Sequence, residues 1–113
     1  MPRPTKIAVS PPAAVEGSLK RLGRNIRTAR LRRRLPQAEL AARMGVSRFV
    51  VADVERGKPT TGVAVYLGAL WVLGLLGDVD EVADPDRDRE GKALERARLP
   101  RRARSRRVLS DDF

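Results

Sequence analysis

Residues 35–59 read LPQAELAARMGVSRFVVADVERGKP, and the way this segment divides decides the fold. Pro36 suits the first turn of a helix, where the N–H that proline lacks would have no partner anyway. Glu39 then falls in the N-terminal turn, where a carboxylate meets the positive end of the helix dipole. Leu40, Ala41 and Met44 would line the buried side. Gly45 ends the helix, because glycine takes up the left-handed C-terminal conformation without strain. Ser47 can cap a second helix, which Gly57 closes. Phe49, Val50, Val51 and Val54 are more apolar bulk than one short helix can bury on a single face. Val51 and Val54 are expected to point inward, leaving Phe49 and Val50 to face outward with Arg48 and Asp53. The spacing therefore predicts two short helices joined by the tight turn MGVS, with Val46 plugging the angle between them.

Upstream, Ser18 can cap a helix whose apolar positions, Leu19, Leu22, Ile26 and Ala29, recur at three and four residues. Its other face carries cations from residue 20 to residue 34. Residues 1–17 contain Pro2, Pro4, Pro11 and Pro12 and are expected to form a disordered arm. Downstream, KPTTG makes a turn into VAVYLGALWVLGLL, residues 63–76, which is apolar on more than one side. In so small a domain such a helix is expected to bury a second face against another copy of the chain. Val65, Tyr66, Leu70, Trp71 and Leu73 are the expected dimer contacts. Residues 78–90 are acidic and suggest a short helix ending near Pro85, followed by another from Asp86 towards Arg98 that Pro100 stops. Residues 18–84 thus read as one domain, and 85–113 as a helical and then disordered arginine-rich tail.

At 113 residues the chain has room for one domain and some tails. Aromatic residues make up only 4%, so the core must come from Leu, Val, Ala and Ile, which favours compact helices. Cysteine and histidine are both absent. That removes disulfides, thiolate metal sites and the commonest general base, and neither an enzyme nor a cofactor or metal is expected. No apolar run reaches the length of about 18 residues that a membrane span needs. The first residues lack the continuous apolar core of a signal peptide, so a cytoplasmic location is expected. The charge is the strongest compositional signal. Lys and Arg number 24, most of them Arg, against 14 acidic residues, for a formal +10. Such an excess implies a polyanionic partner: nucleic acid, a membrane surface or an acidic protein.

Two short helices joined through a glycine-containing turn fit the helix-turn-helix of DNA-binding proteins. More specifically, residues 35–59 resemble the phage-repressor-like (Cro/C1, or XRE) family. The matching residues are Gln37, Leu40, Ala41, Gly45, Val46, Ser47, Glu55 and Gly57, together with the preceding IRTAR. The resemblance implies an all-α, five-helix domain over roughly residues 18–76 that binds double-stranded operator DNA as a homodimer on a palindrome. Gln37 would then hold a phosphate, and Ser47, Arg48 and Phe49 would lead the recognition helix into the major groove. Arg48 could fork onto guanine or grip a phosphate, and Phe49 could lie against thymine methyl groups. Asp53 could accept from cytosine N4 or orient a neighbouring arginine. Lys58 is a phosphate candidate. Arg30 and Glu55 match a buried salt bridge that ties the first helix of the domain to the recognition helix.

Residues 73–107, LGLLGDVDEVADPDRDREGKALERARLPRRARSRR, resemble the stretch that follows the helix-turn-helix in HipB-like antitoxins. That resemblance implies a homodimer that represses its own operon and holds a HipA-type kinase toxin. Arg101, Arg102, Arg104, Arg106 and Arg107 would add phosphate contacts or dock on the toxin. A free-standing repressor without a toxin, and a non-specific basic nucleic-acid-binding protein, are the competing readings.

Overall fold

The longest helix in a computed structural model of the chain, which describes residues 3–99, is preceded by two prolines. A four-residue helix, α1 (Lys6–Val9), comes first and buries none of its side chains. The long helix, α2 (Ala13–Arg32), starts directly after Pro12, whose extended backbone forms the N-cap. The expected arm over residues 1–17 is therefore partly helical. Proline bars a helix from continuing through it but is well tolerated at a helix start. Ala13 and Ala14 are strong helix formers, and Glu16 sits in the first turn and pairs with Lys20 at 2.9 Å. Ser18 consequently lies inside α2, where its hydroxyl accepts from Arg21 instead of capping the helix.

Three further helices complete the first of two compact units, which runs up to Gly77. They are α3 (Gln37–Met44), α4 (Arg48–Glu55) and α5 (Val63–Val72). Helix α4 packs on α2, α3 and α5, and α3 packs on α5. Ile26, Leu40, Val51 and Val54 are the largest fully buried side chains. Each such side chain removed from water contributes about 1.5–3 kcal/mol. Leu35, Ala41, Tyr66, Ala69, Leu70 and Leu73 close the core around them.

The first-unit helices α2 to α5 stop in the same way. After α3, α4 and α5 a glycine takes the left-handed conformation, at Gly45, Gly57 and Gly74. The next N–H in each case reaches back to a carbonyl of the last turn: Val46 to Ala41, Lys58 to Asp53 and Leu75 to Leu70. After α2 the left-handed residue is Arg34, with φ 51. Leu35 N–H donates to the Arg30 carbonyl at 3.2 Å. The same motif is thus built there on a residue whose Cβ opposes it.

Two of these glycines work by absence of a side chain. A Cβ on Gly57 would lie 2.5 Å from the Leu19 carbonyl oxygen, and one on Gly23 would lie 2.5 Å from that of Val54. The backbone of α2 therefore rests directly on the end of α4.

Helix α5 corrects the expected dimer contacts. Tyr66, Leu70 and Leu73 lie in the protomer's own core, and Val65 is half-buried. Only Trp71, 64% exposed, stands clear of the fold. Spacings of three and four residues place Tyr66, Ala69, Leu70 and Leu73 on the inner face, and this face is what α3 and α4 cover. The helix also ends at Val72, earlier than the apolar run suggests, because Gly74 turns left-handed.

The second unit begins at Asp78, ahead of the boundary expected after residue 84. A 3-10 helix spans Leu76–Glu81, and α6 covers Arg89–Arg98. Asp88 caps α6, its carboxylate accepting the Gly91 N–H at 2.9 Å. The expected start at Asp86 is displaced because that residue's N–H turns back onto the Asp84 carboxylate at 3.0 Å. The five tail arginines, Arg101, Arg102, Arg104, Arg106 and Arg107, lie outside the described residues.

Candidate nucleic-acid interface

Glu55 sits at the C-terminal end of α4 and gathers three helices. Arg30 on α2 donates to it twice, through Nε at 2.5 Å and Nη2 at 3.1 Å. Gln37, the first residue of α3, donates its Nε2 at 2.9 Å. The remaining guanidinium nitrogen of Arg30 donates to the Leu35 carbonyl at 2.9 Å. The two charged side chains are 8% and 4% exposed, so a carboxylate and a guanidinium are almost fully removed from water. Such burial is tolerable only because each polar atom has a partner. This geometry engages the amide nitrogen of Gln37 inside the protein and leaves Gln37 half-buried.

The turn from α3 to α4 is set by Gly45 and by Val46, which is half-buried in the angle. Ser47 occupies the N-cap of α4 with an extended backbone, and its side chain makes no cap hydrogen bond. Beyond it, the leading end of α4 is unusually bare. Arg48 is exposed, and Phe49 is 69% exposed. The Arg48 guanidinium lies 5.4 Å from the centre of the Phe49 ring, close enough for a cation–π attraction. Among the described residues, this ring on the first turn of α4 takes no part in the buried core. Val50 is half-buried, so of the two apolar side chains expected to face outward, Phe49 does so much more fully.

Towards the other end of α4 the surface is charged and organised. Asp53 forms an ion pair through Oδ1 with Nη2 of Arg56, one helical turn on. Its Oδ2 lies 3.6 Å from Nζ of Lys58. The backbone that follows is tied down: Lys58 N–H donates to the Asp53 carbonyl at 3.0 Å, and Tyr66 Oη donates to the Lys58 carbonyl at 2.8 Å. Burial first, and then the negative charge of Asp53, push the Tyr66 phenol above its ordinary range. The hydroxyl accordingly stays a donor throughout the neutral range. Arg56 was not singled out by the sequence pattern. Its signal was present, since opposite charges three residues apart on a helix are neighbours. Gly23 had no such signal: nothing in its local sequence says that another backbone crosses there.

Among the described residues there is no cluster of His, Cys, Asp and Glu suited to a metal ion. Among the same residues no helix is long and apolar enough to cross a membrane.

Residues 26–65 match the helix-turn-helix family. The matched segment starts within α2, contains all of α3 and α4 and reaches the first turn of α5. No curated protein and no solved structure matched the chain. The match, on a fold that is helical throughout the described residues with the turn geometry given above, supports a DNA-binding transcriptional regulator of the phage-repressor-like type.

Proposed function

We propose that this chain is a sequence-specific repressor that binds operator DNA as a homodimer, with α4 as the recognition helix. The observation that carries this reading is the leading end of α4, where Arg48 and Phe49 project from a helix otherwise locked in place through Glu55. Arg48 reads guanine, Phe49 meets a thymine methyl group, and Ser47 accompanies them at the groove. Lys58 takes backbone phosphate. Gln37 contributes at the start of α3, where its side chain braces Glu55 and the helix N-terminus favours a phosphate. The test is a mobility-shift assay with DNA from upstream of the protein's own gene against random competitor. Preferential retention of the upstream fragment supports the repressor; equal competition favours the non-specific reading.

Dimerisation through the outward face of α5, centred on Trp71 with Val65 at its edge, would set two recognition helices about 34 Å apart, one turn of DNA. Trp71→Glu should then yield monomers with weakened operator binding. An unchanged dimer would remove this interface from the proposal.

The finer role is that of a HipB-like antitoxin that represses its own operon and binds a HipA-type kinase toxin. It rests on the resemblance of residues 73–107. A kinase-like gene beside this one, and co-purification of its product with the chain, would support it. A solitary gene would leave the free-standing repressor.

A further inference from the structure

Asp53 occupies a helix position from which a side chain can reach a base edge, yet both of its carboxylate oxygens face cations of its own chain. Arg56 holds one, and Lys58 stands 3.6 Å from the other. The Asp53 side chain is 24% exposed, against 69% for Arg56 and 50% for Lys58. The Asp53 side chain is thus the least exposed of the three, and both cationic side chains are largely open to solvent. To accept from cytosine N4 it would have to share oxygens already drawn towards these cations while approaching a polyanion.

The segment carrying the cations is also held independently of Asp53's side chain. Gly57 rests on the backbone of Leu19 and Lys20. The Lys58 N–H is bound to the Asp53 carbonyl, and the Lys58 carbonyl is bound by Tyr66. A fixed backbone with a carboxylate paired to two long side chains restricts their rotamers before any ligand arrives. Long side chains normally lose that freedom on binding, and the loss weakens association.

We propose, on the DNA-binding reading above, that Asp53 is a positioning residue: it presents Arg56 and Lys58 as a paired grip on the sugar–phosphate backbone and reads no base. Sequence reading is then confined to the first turn of α4. The turn at its far end supplies affinity that is blind to sequence.

The decisive variant is Asp53→Asn in the full chain, which keeps the shape and removes the charge. Binding is measured to the upstream duplex retained in the mobility-shift assay, to every single-base-pair variant of it, and to a random duplex, over a range of salt concentrations. The variant is expected to weaken binding to upstream and random duplex alike, by about three- to tenfold, with the base-pair preferences unchanged. In an Arg56→Ala, Lys58→Ala background, Asp53→Asn should have no further effect. A loss confined to one base pair would make Asp53 a base reader and overturn the proposal. Unchanged or tighter binding to both duplexes would overturn it too, reducing Asp53 to a charge that merely offsets a cation. A readout without DNA separates this inference from the repressor reading. In the free protein the Arg56 side chain should be rigid by nuclear spin relaxation and become mobile in Asp53→Asn. An Arg56 as mobile in the wild type as in the variant would refute the positioning role whatever the protein binds. Wild-type protein that binds neither duplex would instead overturn the DNA-binding reading.

Discussion

Helix α4 carries two carboxylates two residues apart, Asp53 and Glu55, and the chain treats them in opposite ways. Glu55 is sealed between Arg30 and Gln37 and joins three helices from within. Asp53 sits at the rim and organises cations that look outward. The same chemical group thus serves the fold on one side of the helix and the surface on the other. What separates them is rotation about the helix axis: neighbours two apart point in widely different directions, and only one direction meets the core. Changes on the Glu55 side should therefore be felt as lost stability, and changes on the outward side as lost binding.

The largest effect is expected from Arg30→Ala, which leaves the Glu55 charge buried without its main partner. Unfolding in urea should show a loss of about 3–5 kcal/mol. A loss below about 1 kcal/mol, the usual value of an exposed ion pair, would mean that the pair is not sealed from water. Gly23→Ala comes next. Its methyl group would meet the Val54 and Glu55 carbonyls, and the forced separation of α2 from α4 should cost about 1–3 kcal/mol. Both variants act on the inner side and should lower the melting temperature.

On the outward side the expectation reverses. Phe49→Ala should leave stability within about 0.5 kcal/mol of the parent while weakening operator binding. Replacing thymine by uracil across the operator should weaken the parent at one or two positions and leave Phe49→Ala indifferent there. A Phe49→Ala protein that melts far below the parent would show the ring to be structural and blur the division between the two sides. The smallest effect concerns the end of α2. Arg34→Gly relieves a left-handed φ and should stabilise the fold by about 0.5–1 kcal/mol, read from the same urea transition.

The helix-turn-helix was legible because its punctuation is local. Gly45 and Gly57 mark left-handed ends, Ser47 stands at a helix start, and the spacing of Leu40, Val51 and Val54 gives one buried face. The partnership of Arg30 with Glu55 was legible only through family resemblance, since no spacing rule links residues so far apart. Two features resisted. The start of α2 was hidden because Pro11 and Pro12 look like a linker, although proline at a helix N-cap is as natural as proline in a tail. The faces of α5 were hidden because a helix that is apolar all round has no periodicity to reveal its inner side. From the sequence alone Tyr66, Leu70 and Leu73 look like dimer contacts for that reason. The Asp53 site was half-visible: its charge was read, but the carboxylate's direction depends on where Arg56 and Lys58 come to rest.

The hub at Glu55 has one more consequence, for how such a protein changes over generations. Its side-chain hydrogen bonds run to Arg30 on α2 and Gln37 on α3, and none involves residues 48 or 49. The side chains that face outward from the first turn can be exchanged while the helix keeps its seat. On the proposed recognition role of α4, a lineage carrying this hub can respell its leading turn and acquire a new target without rebuilding the scaffold.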